Sequence, residues 1–311
     1  MIDNQYFTDE EEKLVTEIME LKRQKNAVII AHLYQWPQIQ EIADFVGDSL
    51  ELSRKAKATD VDVIVFCGVY FMAETAKILN PGKTVLLPEI HAGCPMADMI
   101  TPENVKDLRR LHPQAAVVCY VNSSAEVKAE CDICCTSSNA VKVVQSLEEQ
   151  EIIFVPDQNL GDYVSKFVPE KKFIFANGFC PTHHKITAVD VEKARQAKPG
   201  VPVLVHPECK PEVVSAADYV GSTAQIIDYV ANSNEDVFII GTEVGIIHAL
   251  QKRCPGKKFY SLHAAMVCPN MKKTTLLSVR DSLAKMQYNI EVDKNISDKA
   301  FKSLDRMLQI V

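Results

Sequence analysis

One Cys-Pro pair is written three times in this chain at almost equal spacing. Cys180-Pro181 follows Cys94-Pro95 by 86 residues, and Cys268-Pro269 follows Cys180-Pro181 by 88. Each pair comes after a short apolar run, at residues 84–87, 173–176 and 258–262. A second marker keeps the register: Asp-Phe-Val-Gly-Asp-Ser at 44–49, Asp-Ile-Cys-Cys-Thr-Ser at 132–137 and Asp-Tyr-Val-Gly-Ser-Thr at 218–223. Two independent markers sharing one period mean that a single supersecondary unit is used three times.

Periodicity says what that unit is. Continuous apolar runs of strand length read as parallel strands covered on both faces. They fall at 27–31, 63–66 and 85–87 in the first copy. In the second they fall at 116–119, 152–155 and 173–175, and in the third at 203–205, 237–240 and 258–260. Helical stretches alternate with them, among them 72–79, 102–111 and one at 39–58 interrupted near 47–49. Residues 8–25 open on Thr8 and a run of acids, then carry apolar residues at helical spacing, which predicts a leading helix.

The expected fold class is therefore α/β, with three homologous three-layer αβα domains and small parallel sheets in pseudo-three-fold symmetry around a central site. The expected boundaries are 1–112 with the leading helix, 113–199, and 200–311 with a C-terminal helical segment. A length of 311 residues, more than one core usually holds, agrees.

Parallel sheets bind ligands beyond the carboxyl ends of their strands, so the repeat also says where chemistry should gather. Cys94, Cys180 and Cys268 would deliver three thiols from three directions. Three thiolates leave one iron of a four-iron cluster open to water or substrate, while catalytic zinc with three protein ligands is the rival reading. Cys131, Cys134 and Cys135 offer a C-x-x-C spacing with no second pair, and they fall on the other marker. Cys67, Cys119, Cys209 and Cys254 read as small buried residues. Ten cysteines behind an acidic, polar N-terminus suit metal or redox use in a cytoplasmic chain better than a disulfide framework.

The first strand of each unit ends on a polar pair: His32 and Tyr34, Tyr120 and Asn122, His206 and Glu208, again 88 and 86 residues apart. Three such ends read as the wall of an active site. Ser49, Ser137, Ser222 and Thr223 sit where helices should begin, either as simple caps or as donors to phosphate or carboxylate. His183 stands three residues after Cys180 and could serve the cluster or a substrate carboxylate. Glu243 and His248 read either as support for the site or as a helix-start acid and a surface histidine. The net charge of −7, without a basic block, argues against nucleic acid or an anionic membrane as partner. No apolar run approaches the length of a bilayer span.

Lined up, these segments resemble the quinolinate synthase family. The matching stretches are 31–35, 43–49, 120–129, 135–140, 177–180, 206–209, 221–223, 241–243 and 268–272. The resemblance implies a [4Fe–4S] cluster held by Cys94, Cys180 and Cys268. It implies condensation of iminoaspartate with dihydroxyacetone phosphate to quinolinate, with loss of phosphate and two waters, in NAD biosynthesis. It further implies proton transfer by Tyr34 and Glu208, with His32 and Tyr120 beside them. His32, Asp48, Ser49, Tyr120, Asn122, Ser137, His206, Ser222 and Thr223 would hold substrate, with His183 close to the cluster. A transient hand-over from an enzyme that makes iminoaspartate is expected. Leu33 and Thr182 depart from the family pattern, and no C-x-x-C pair follows Cys268.

Overall fold

The computed structural model describes residues 6–310. The leading helix, Asp9–Gln24, begins at Thr8, whose hydroxyl accepts from Glu11 N–H while the Glu11 carboxylate accepts from Thr8 N–H. This reciprocal cap satisfies two of the four donors that a helix start leaves open.

Three parallel four-stranded sheets follow. The first holds β1 (Ala27–His32), β2 (Phe45–Gly47), β3 (Val63–Cys67) and β4 (Thr84–Leu86) in the order β2-β1-β3-β4. The second repeats that order with β5 (Ala116–Tyr120), β6 (Ile133–Cys135), β7 (Glu151–Val155) and β8 (Lys172–Phe175). The third does so with β9 (Val203–Val205), β10 (Tyr219–Val220), β11 (Val237–Gly241) and β12 (Lys258–Ser261). Helices flank each sheet, so the three αβα units expected from the repeat are present. The nine expected strands are found, and each unit gains a short fourth, β2, β6 or β10. These lie on the second marker, inside the stretch read as interrupted helix at 39–58 and its equivalents. They are two or three residues long, too short for a periodic signal.

The aspartate that opens each marker explains the extra strand. Ile29, Val117 and Val203 donate their N–H groups to the Asp44, Asp132 and Asp218 carboxylates at 2.8, 2.8 and 2.7 Å. Each aspartate N–H returns a bond to the carbonyl of the same strand residue. A cation from the preceding helix, Lys22, Arg109 or Arg195, closes each clasp. The marker is thus partly a structural device that pins the edge strand.

The first two units share one apolar core, with Phe71, Val117, Phe154 and Leu304 among its members, whereas the faces of the third sheet form separate clusters. After the third sheet the chain returns to the first two units. Helix Leu276–Lys285 packs on the leading helix and β3, and helix Lys294–Gln309 packs on β6 and helix Ala125–Ala129. No helix among the described residues is long and apolar enough to cross a membrane.

Candidate active site

Where the strand ends of the three sheets meet, a cavity of about 140 Å³ opens. The first unit lines it with His32, Tyr34, Asp48, Ser49 and Cys94, the second with Tyr120, Asn122, Ser137, Cys180 and His183. The third adds His206, Glu208, Thr223 and Cys268. Every residue expected to hold substrate or cluster lies on this wall except Ser222, which is fully buried behind it.

The second marker converges as the symmetry requires. Asp48 caps helix Ser49–Ala58 by accepting from Leu50 and Glu51 N–H, and its other oxygen accepts from Ser138 Oγ. Ser138 Oγ lies 2.8 Å from Ser222 Oγ, which caps helix Thr223–Asn232. One residue from each unit thus meets at the junction. Asp48 and Ser222 are held by these bonds, leaving Ser49, Ser137 and Thr223 facing the cavity. Asn122 also faces it, and its side-chain oxygen is buried without a protein partner.

The strand-end histidines share a geometry. Tyr34 N–H donates to His32 Nδ1 at 3.1 Å, and Glu208 N–H donates to His206 Nδ1 at 3.3 Å. With Nδ1 accepting, the ring proton of each neutral imidazole sits on Nε2. Burial depresses both, His32 to about 3 and His206 to about 4, so both stay neutral near pH 7. They are hydrogen-bond donors rather than cations, and Nε2 of His206 lies 3.2 Å from Ser137 Oγ.

Glu208 lies at the centre of the polar groups. Tyr120 O–H donates to one of its oxygens at 2.7 Å, and His183 Nδ1 lies 2.7 Å from the other. Burial alone would push this carboxyl up, but the His206 and His183 imidazoles and the two donors hold it at about 2. The phenols go the other way. Burial, then the neighbouring Glu208 carboxylate, raises Tyr34 and Tyr120 well above their usual range. Acid–base work near neutrality would need Glu208 raised or Tyr34 lowered; the site does neither, because donors surround the acid and Lys272, the nearby cation, is turned to Glu243.

Thr242, read in the sequence only as part of a motif, and Glu243, read there as possible support for the site, stand behind and beside these groups. Tyr34 Oη lies 2.8 Å from Thr242 Oγ1 and 3.2 Å from Thr223 Oγ1, and Thr242 Oγ1 lies 3.0 Å from His183 Nε2. Glu243 is fully buried, accepts from the N–H groups of Gly245 and Cys268, and pairs with Lys272 at 3.1 Å. It therefore fixes the loop that carries Cys268. His248 is buried against Glu41 at 2.7 Å, not on the surface.

The three cavity cysteines are half-buried, and desolvation raises their thiols, Cys94 to about 12. Thiols of this kind become ligands when a metal centre takes the place of their protons. Among the described residues, only Cys180, His183 and Glu208 bring three metal-capable donor atoms within 4.8 Å of one another. Their 2.7 and 3.2 Å separations are hydrogen-bond lengths. Nitrogen and oxygen ligands around one zinc ion would stand roughly 3.4 Å apart. The three cysteine sulfurs do not all lie within 4.8 Å of one another. Cys67, Cys119, Cys209 and Cys254 are buried as expected, and Cys134 and Cys135 lie inside β6 away from the cavity.

The family described as quinolinate synthetase A protein matches residues 16–309. The chain is 58% identical over 299 residues to a quinolinate synthase of Caldicellulosiruptor saccharolyticus, covering 96% of this chain and 99% of that one. It is 56% identical over 300 residues to one of Alkaliphilus metalliredigens, covering 96% and 99%. It is 55% identical over 302 residues to one of Methanoregula boonei, covering 97% and 100%.

Proposed function

The chain belongs to the quinolinate synthetase A family, enzymes of NAD biosynthesis, and from that premise we propose that it condenses iminoaspartate with dihydroxyacetone phosphate to quinolinate, releasing phosphate and two waters. Cys94, Cys180 and Cys268 would hold a [4Fe–4S] cluster. The observation that carries the reading is their arrival, one from each unit, on a wall that also presents neutral donors and a carboxylate. Bound there with three protein ligands, the cluster supplies a Lewis-acidic iron with an open position.

The protein groups divide the remaining work. Nε2–H of His32 and of His206, with the Ser49, Ser137 and Thr223 hydroxyls, would bind carboxylate and phosphate oxygens without adding net positive charge. The unpartnered Asn122 oxygen would accept from a substrate amine or hydroxyl. In the free site Glu208 is ionised and accepts, while Tyr34 and Tyr120 are protonated and donate; their proton transfers would therefore require bound substrate to raise Glu208 and lower Tyr34. A wall that buries these groups also keeps water from the imine.

The test is anaerobic purification followed by Mössbauer spectroscopy and a quinolinate assay. Wild-type protein is expected to be brown, with one iron site perturbed by quinolinate, and Cys180→Ala to lose both cluster and turnover. Full activity in colourless protein would overturn the reading. Hand-over of iminoaspartate from its source belongs to the same proposal, because an imine hydrolyses in free solution.

A further inference from the structure

Tyr34 reaches the cavity from the first unit, yet the third unit grips it. Residues 242–245 link β11 to helix Ile246–Arg253 and engage Tyr34 at three points. Thr242 Oγ1 lies 2.8 Å from the phenol oxygen. Glu243 pairs with Lys272, whose ammonium donates to the Tyr34 carbonyl. Gly245 lies directly against the backbone: a β-carbon there would stand 2.7 Å from Leu33 O and from Tyr34 Cα, and 2.8 Å from the Tyr34 carbonyl carbon. The φ of −59° at Gly245 is open to any residue. The glycine is therefore required by the close approach of two chain segments, not by its own conformation.

Gln40 closes the joint. Its Nε2 lies 3.0 Å from Leu33 O, 2.9 Å from Gln35 O and 3.0 Å from Gly245 O. One buried amide on helix Pro37–Ile42 thus donates to the carbonyls on either side of Tyr34 and to the turn that faces it. An apolar side chain of the same length would fill the place and leave those carbonyls without this donor. Neither Gln40 nor Gly245 lines the cavity, so both act on substrate only through Tyr34.

We infer that Gly245 and Gln40 are positioning residues that set where the Tyr34 phenol stands in the site. The inference rests on the functional reading above for the role of that phenol. A methyl group at 245 has to push the Tyr34 backbone out to an ordinary carbon contact, a displacement on the order of 1 Å. The backbone shift carries the ring with it and draws the hydroxyl away from Thr242 and from the reacting atoms. A misplacement of that size costs about 10²-fold in rate while leaving the other substrate contacts in place. Loss of the Gln40 donors frees the same turn from the opposite side.

A double-mutant cycle on quinolinate formation by the cluster-loaded enzyme tests this. Gly245→Ala is expected to lower kcat by about 10²-fold with KM within about threefold, and Tyr34→Phe by about 10²-fold, the usual scale of one acid–base contribution. In the Tyr34→Phe background Gly245→Ala is expected to cost less than about threefold more, because no phenol hydroxyl is left to misplace. Gln40→Met is expected to show the same sparing, and it carries the test if Gly245→Ala does not fold by thermal melting. Fluorine NMR of fluorotyrosine-labelled protein supplies a readout that needs no turnover. The Tyr34 resonance, identified by its loss in Tyr34→Phe, is expected to shift in both variants. Losses that multiply in full across the Tyr34→Phe background overturn the inference and make the two residues general supports of the fold. A kcat within about threefold of wild type in Gly245→Ala and Gln40→Met, with an unmoved resonance, overturns it as well. Wild-type protein that makes no quinolinate overturns the reaction assignment instead, and the fluorine shift then decides the positioning on its own.

Discussion

At the scale of single residues, the Tyr120 phenol and the Glu208 carboxylate show how the second and third units depend on each other. The 2.7 Å bond between them is buried on both sides. Tyr120→Phe removes the donor and leaves a carboxylate oxygen inside the protein without its partner. The expected cost is about 1–3 kcal/mol of stability, read from urea unfolding, with a rise in the Glu208 pKa. An unchanged midpoint would mean that another donor turns to Glu208. His32, Tyr34, Asn122, His206 and Glu208 could be found in the sequence because they repeat in register with one another. Thr242 could not, because one hydroxyl after a strand looks like any turn residue until His183 and Tyr34 arrive on either side of it. Glu243 stood open between support for the site and a helix-start acid, and Lys272 was hidden, because their pairing joins residues 29 positions apart and no local pattern announces it.

Elements tell the same story with a different limit. Nine strands were legible as apolar runs, while β2, β6 and β10 were not, since their pairing is enforced by an aspartate outside the strand. That aspartate can be tested directly. Asp132→Ala leaves the buried Val117 N–H without an acceptor and should cost about 1–3 kcal/mol. Arg109→Ala removes a partly exposed ion pair and one bond to the Glu130 carbonyl, and should cost less, about 1 kcal/mol. The ordering of the two midpoints in guanidinium decides the matter: equal losses would assign the clasp to the charge pair instead of the backbone bond. The same ordering is expected for Asp218 and Arg195, because the third unit repeats the contacts.

For the whole molecule, the period announced three units but not how firmly each is joined to the next. The first and second share an apolar core, and within that seam lies a buried acid, Glu74, on helix Tyr70–Leu79. Its carboxylate accepts from Ala125 N–H at 3.2 Å, across the boundary, and the wholly buried Lys128 lies nearby. Desolvation outweighs the attraction of Lys128 and raises Glu74 to about 7. A folded-state pKa above the unfolded value means that the folded protein binds the extra proton. The stability this confers is complete below about pH 4 and is lost as pH rises through 7. Glu74→Gln cannot titrate, so the difference between variant and wild type isolates this one group from every other. Between about pH 4 and pH 8 the difference should move in favour of the variant by on the order of 3 kcal/mol, since each tenfold change in proton affinity is worth about 1.4 kcal/mol. Urea unfolding across this pH range measures it. A difference that stays flat would show that Lys128 keeps Glu74 ionised, and the seam between the first two units would then be held by a buried ion pair instead of by a protonated acid.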